Sequence, residues 1–111
     1  MRHVEIAKNK LAETHPEVTE FIELDNIDDV KGVAPIVSFE VQSDPIGEVG
    51  VNGLQAVDIL NYTKCLFQSL NDAFPCRENS LTITKIEEAL HWQYARTADR
   101  NRRNVEGKNI K

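Results

Sequence analysis

Residues 74–107, FPCRENSLTITKIEEALHWQYARTADRNRRNVEG, set the fold of this chain. Pro75 suits the first position of a helix, where a missing N–H leaves nothing unpaired. No Gly or Pro follows until Gly107, and the apolar residues recur near every 3.6 positions. Asn79, Ile83, Ile86, Leu90 and Tyr94 fall on one face, with Arg77, Ser80, Thr84, Glu87 and His91 on a second, polar stripe. Beyond them Arg96, Arg100, Arg102 and Arg103 place four guanidinium groups within eight residues. The spacing predicts one long amphipathic helix that ends in a cluster of cations.

Upstream, residues 54–71 repeat the helical pattern, with Ile59, Leu60, Tyr62, Leu66, Phe67 and Leu70 forming a broad apolar face. Only about four residues, 71–74, join it to the long helix, so the two should lie antiparallel as a helical hairpin. Ahead of them Val37, Phe39 and Val41 alternate with Ser38, Glu40 and Gln42, which predicts a strand over 35–42. Ser43-Asp44-Pro45 is a turn, and 46–51 is expected to return as a second strand. Gly47, Gly50 and Gly53 read as backbone bends between sheet and helix. The run GEVGVNG lacks the GK[ST] ending of a phosphate-binding P-loop.

The N-terminal third is less patterned. Residues 3–13 suit a short helix with Val4, Ala7 and Leu11 on one side, and 18–24 a possible strand. The acids of 25–32 read as a solvated turn. The expected fold class is α+β: a small antiparallel sheet followed by a long antiparallel αα-hairpin. The chain divides as one domain, 1–111, with an N-terminal extension at 1–33, a β unit at 34–52 and the hairpin at 53–107.

Charge narrows the ligand. The protein carries a formal net charge of −5. Residues 1–60 hold 12 acids against 4 bases, and residues 61–111 hold 6 acids against 9 bases. A broad basic footprint for DNA or RNA is missing, whereas a compact positive site for a small anion is compatible with acidic surroundings. No apolar run approaches the ~20 residues of a membrane span. The first 15 residues lack an apolar signal core, and Cys65 and Cys76 fit a reducing compartment. Histidines at 3, 15 and 91 with two cysteines reproduce no zinc spacing, and no cofactor is expected.

The combination of PCRENSLTITKIEEALHW, RTADRNRRNVEG and the preceding IGEVGVNG resembles the phage anti-Thoeris sponge family, which sequesters glyco-cyclic ADP-ribose. That family shares its helical hairpin with anti-CBASS sponges for cyclic oligonucleotides. The resemblance covers roughly residues 36–107, about two thirds of the chain. It implies a non-enzymatic binder in the cytoplasm of the infected bacterial host. Its ligand would be a small cyclic nucleotide, and its assembly a homo-oligomer of two or more subunits, a hexamer among the options. It implies ligand-binding roles for Phe74, Arg77, Asn79, Thr84, Arg96, Arg100 and Arg103.

Side-chain chemistry agrees with such a site and also offers plainer roles. Arginine's planar fork binds phosphate bidentately and stays charged. Arg96 and Arg100, one turn apart, could grip a diphosphate or pair with Asp99 or Glu106. Asn79 suits a base edge or ribose hydroxyls, or backbone groups at the helix start. Phe74 could stack on a purine or cap the hairpin core. Arg77 could meet a ligand or pair with Glu78 across subunits. Trp92 and Tyr94 are expected in an interface or the core, and Cys76 as a small packed residue. Two other function classes remain at this point: an enzyme that cleaves the same signal, and a nucleic-acid or protein interaction module built on Arg96–Arg103.

Overall fold

The computed structural model describes residues 2–103. In chain order they form α1 (His3–Thr14), a 3₁₀ turn (Pro16–Phe21), β1 (Ile22–Asp25), β2 (Ile36–Phe39), a short α2 (Ile46–Val49), α3 (Ala56–Ala73) and α4 (Arg77–Arg102). The class is α+β, with a two-stranded antiparallel sheet ahead of a long helical hairpin.

Over the described residues the hairpin forms where its pattern predicts, with its helix starts shifted; the expected stretch 104–107, with Glu106, lies outside them. At the start of α3 the Asp58 carboxylate accepts the Gln55 N–H at 2.9 Å, closing one of the open backbone donors. Pro75 is not the first helical residue. Cys76 is the N-cap of α4, and its Sγ accepts the Asn79 N–H at 3.4 Å. Cys76 is exposed, so the expectation of a small packed thiol is corrected. Asn71 staples the tip, accepting the Cys76 N–H at 3.1 Å and reaching Ser80 Oγ at 3.4 Å. Farther along, Asn61 Nδ2 donates to the Tyr94 hydroxyl at 3.1 Å, which sets the antiparallel register.

The sheet differs from its sequence expectation. β2 pairs with β1 in antiparallel register, Ile22 opposite Phe39 and Asp25 opposite Ile36. Residues 46–49 are helical and supply no return strand. The expected strand over 18–24 starts only at Ile22, because Pro16 opens a 3₁₀ turn in which Thr19 Oγ1 bonds back to the Pro16 carbonyl at 2.7 Å. Past β2 the backbone turns toward the hairpin. Gln42 N–H donates to Leu54 O and Leu54 N–H to Glu40 O, both at 2.7 Å, forming a parallel bridge. The intervening loop is clasped by side chains: Gln42 Nε2 donates to Gly50 O, and Asn52 Oδ1 accepts the Ser43 N–H, both at 2.9 Å. Gly50 there adopts φ +77°, a conformation costly to other residues.

The core joins the N-terminal segment to α3. Ala7, Leu11, Ile22, Leu54, Tyr62 and Cys65 form one buried cluster, flanked by Val18, Phe21, Leu24, Val37, Phe39, Ile59 and Leu66. Tyr62 packs edge-on against Phe39, ring centroids 5.5 Å apart, and donates its hydroxyl to Val4 O at 2.9 Å. Burial pushes that phenol up to about 12, keeping it a neutral donor. His3 Nδ1 lies 2.7 Å from the buried Ser69 Oγ, and Lys8 Nζ donates to Ile22 O at 2.7 Å. Arg2 reaches the carbonyls of Asp28, Val30 and Val33, fastening the acidic loop to the start of α1. Three of the six core positions thus precede residue 33.

Gly53 is the tightest point of the bridge. A Cβ there would sit 2.6 Å from the Val41 carbonyl carbon and 2.7 Å from the Gln42 nitrogen. Both are backbone atoms that cannot rotate away. Gly53→Ala is expected to lower stability by about 1–3 kcal/mol, as overpacking does. Urea unfolding monitored by circular dichroism measures it, and an unchanged midpoint would show that the bridge yields freely.

Candidate functional site

α4 is a long helix held along a narrow stripe. Leu90 and Arg100 are its buried residues, and Asn79, Ile83 and Ile86 are half-buried. The face turned from α3 is open to solvent: Leu81 is 45% and Trp92 70% exposed. Trp92 therefore lies outside the core of the chain. Tyr94 is also exposed, though its hydroxyl is held by Asn61.

The seven candidate residues divide into two groups at opposite ends of the hairpin. Phe74 caps α3 at the tip and is 72% exposed, so it does not close the hairpin core. Arg77 opens α4 and is exposed. Asn79 gives its backbone N–H to Cys76 and is half-buried. Thr84, one turn on, donates its hydroxyl to Ser80 O at 3.1 Å. Arg96, Arg100 and Arg103 stand at the other end. From Arg77 to Arg96 is 19 residues of continuous helix, roughly 28 Å at 1.5 Å per residue. One small ligand cannot touch both groups within one chain.

The arginines themselves are not equivalent. Arg102 donates to Asp99 Oδ1 at 2.6 Å and Arg103 to Asp99 Oδ2 at 3.0 Å. The Arg102 hydrogen bond, followed by the charges of Arg103 and Arg102, holds the Asp99 carboxyl below its usual range. Both oxygens of Asp99 are therefore engaged by the last turn. Arg100 is buried, at 4% exposure. Arg96 is exposed, and among the described residues no carboxylate pairs with it. The expected open pair of Arg96 and Arg100 is not what the fold presents: one guanidinium faces solvent and the other is enclosed.

Arg96 lies on a groove that the sequence did not disclose. A hollow of about 210 Å³ is lined by Gln55, Ala56, Val57, Gln93, Arg96 and Thr97. It adjoins a second, of about 370 Å³, lined by Ala56, Val57, Leu60, Ala89 and Gln93. Sharing three residues, they make one trough along the α3–α4 seam, aliphatic at one end and cationic at the other. Gln93 was missed because no helical pattern marks a lone amide as special. Its pairing with Val57 becomes visible only once the hairpin register is fixed. A smaller hollow of about 190 Å³ is bounded by Lys64, Glu87, Leu90, His91 and Tyr94.

No group of His, Cys, Asp and Glu among the described residues is arranged to hold a metal ion. Among the same residues no helix is long and apolar enough to cross a membrane. The trough offers binding groups of both kinds, apolar surface and an unneutralised cation.

Comparison with known proteins agrees with this architecture. The chain is 40% identical over 82 residues to Thoeris anti-defense 1 of Bacillus phage SBSphiJ7. That match takes in 73% of this chain and 56% of the phage protein, so the chain spans little more than half of that relative. The family model described as Acb2/Tad1, hairpin domain, matches residues 36–98, from β2 through the exposed part of α4 to just short of Asp99. With more than half of its length matched, and with the strand and hairpin in place, the chain belongs to the Acb2/Tad1 hairpin-domain family.

Proposed function

We propose that this protein is a phage anti-defence factor that binds a cyclic nucleotide immune messenger and withholds it from the bacterial effector without cleaving it. Glyco-cyclic ADP-ribose is the first candidate ligand, and cyclic di- and trinucleotides are the next. The observation that carries the reading is Arg96: an exposed guanidinium with no carboxylate partner among the described residues, at the end of an aliphatic trough, within a family hairpin. A phosphate on Arg96 would gain charge-assisted hydrogen bonds that no ion pair must first release. Sequestration needs binding groups alone, and the trough supplies those. The phage relative, named for anti-Thoeris defence, supports the biological setting.

The same geometry supports a homo-oligomer. Phe74, Arg77, Asn79 and Thr84 lie at the tip, and Arg96, Arg100 and Arg103 near the base. A second hairpin packed against the first would bring one subunit's tip to another's base. The exposed Leu81 and Trp92 give that contact an apolar surface. Arg100 then acts as a group enclosed beside the site, and Arg103 as one shared with Asp99. The interaction-module alternative, which needs a polymer on the Arg96–Arg103 cluster, is weakened by the engagement of Arg102 and Arg103 with Asp99.

The direct test is to mix purified protein with glyco-cyclic ADP-ribose, remove unbound messenger, and heat the complex. Intact messenger of unchanged mass released only after denaturation is expected. A product of altered mass would make the protein an enzyme, and messenger found entirely in the unbound fraction would refute the proposal. Sedimentation at micromolar concentration is expected to give a dimer or larger species, and a folded monomer would contradict the shared site.

A further inference from the structure

We infer that the outer edge of β2, beside the acidic face of the sheet, is a docking site for an extended basic segment of another protein, which adds there as a third strand. The inference is independent of the sequestration reading, since it uses the two strands and the loop between them and no residue of the hairpin.

A two-stranded sheet has two edges, and here they differ. Glu40 N–H donates to Phe21 O at 3.0 Å. With the antiparallel register, that bond turns the backbone groups of Glu23, Asp25, Ile36 and Ser38 inward, strand to strand. Those of Ile22, Leu24, Val37 and Phe39 therefore point to the edges. On the β1 edge Lys8 Nζ occupies Ile22 O at 2.7 Å, and the Ile22 N–H goes to Thr19 O. On the β2 edge, among the described residues, no hydrogen bond engages the backbone of Val37 or Phe39. Two alternate residues with N–H and C=O both open are a template for strand addition.

The surface around that edge specifies the occupant. Side chains alternate along a strand, so Glu23, Asp25, Ile36 and Ser38 share the solvent face, with Glu40 next along β2. Residues 20–48 carry eight acids against one base, Lys31. Two copies of the chain paired edge to edge would set these acids against each other, which disfavours a homotypic strand pair. A basic strand does the opposite. Its cations fall beside Glu40, with Glu23 and Asp25 about 10 Å away across the sheet, within reach of a long side chain. Apolar contact lies next to the acids, as Val30, Val33 and Ile36 are all exposed. The loop that presents the two valines is already tied down, because Arg2 donates to the carbonyls of Asp28, Val30 and Val33. That order is in place before a partner arrives, which lowers the entropy cost of docking.

The test uses the full chain and backbone amide NMR with short peptide probes. The first probe alternates arginine and valine, the second is the same peptide methylated on its valine nitrogens, and the third alternates glutamate and valine. In antiparallel addition the partner's valines sit opposite Val37 and Phe39, so methylation removes the donors of the new bonds. The first peptide is expected to shift the Val37 and Phe39 amides and slow their hydrogen exchange, and the other two should leave both unchanged. Glu23→Gln combined with Glu40→Gln changes only exposed side chains and is expected to weaken the basic peptide about five- to tenfold. Equal binding of the methylated peptide would reduce the contact to bulk charge and overturn strand addition. Undiminished affinity in the glutamine variant, or shifts that bypass Val37 and Phe39, would overturn the site. Amides of Val37 and Phe39 already slow to exchange without peptide would mean that a second copy fills the edge, which also overturns it.

Discussion

The packing of α1 across α3, through Ala7 and Leu11 against Tyr62 and Cys65, is the contact on which the rest of the molecule depends. α3 must satisfy two partners at once. One of its faces closes the core with α1 and the sheet, and another carries α4. Fully burying a leucine such as Leu11 contributes roughly 1.5–3 kcal/mol, and the Tyr62–Val4 hydrogen bond adds about 1 kcal/mol net. α4 buries much less within the chain. Its position is therefore inherited from α3, which is itself fixed by residues far upstream. A chain cut back to the hairpin would lose Ala7, Leu11 and Ile22 from the core.

Much of this architecture was legible in the residues. Helical period and a short link were enough for the αα-hairpin, and Val37 and Phe39 for the strand, because both signals are local. What failed was also local pattern. Residues 46–51 follow a turn and carry Ile46, Val49 and Val51, as a return strand would, yet the N–H groups of Glu48 and Val49 go to Pro45 O and that of Gly50 to Ile46 O, so the segment closes on itself as a helical turn. Pro75 suits a helix start, but Asn71 and the Cys76 thiol place the cap at Cys76 and the first helical residue at Arg77, two positions on. The match of α1 to α3 could not be read at all, since it requires two helices separated by some 40 residues of intervening chain to share one face.

The candidate site was legible in its residue types and not in its grouping. Arginines spaced along a helix suit an anion or a solvated, ion-paired helix end alike, and only the family resemblance inclines the reading to the first. Sequence spacing alone could not tell an enclosed Arg100 from an open Arg96, nor show that Asp99 would be taken by Arg102 and Arg103. The resemblance implies ligand roles for both Phe74 and Arg96, although a straight helix holds the two ends of the hairpin apart. That separation is itself informative. A small ligand touched by both ends demands a second copy of the chain, so self-association and binding become one requirement. The exposed Trp92 and Leu81 fit that requirement, as large apolar side chains that the described residues leave open to solvent.

Arg96 carries the central claim, and calorimetric titration of glyco-cyclic ADP-ribose into Arg96→Ala and Arg96→Lys tests it most directly. Losing a charge-assisted contact costs about 1.5–3 kcal/mol, so the alanine variant should bind roughly 10- to 100-fold more weakly. The lysine variant should recover only part of this, because an ammonium cannot reproduce the bidentate fork. Thermal stability should hardly change, as Arg96 is exposed and pairs with no carboxylate among the described residues. Undiminished messenger affinity in a folded Arg96→Ala protein would contradict the account and return this guanidinium to a solvated helix surface.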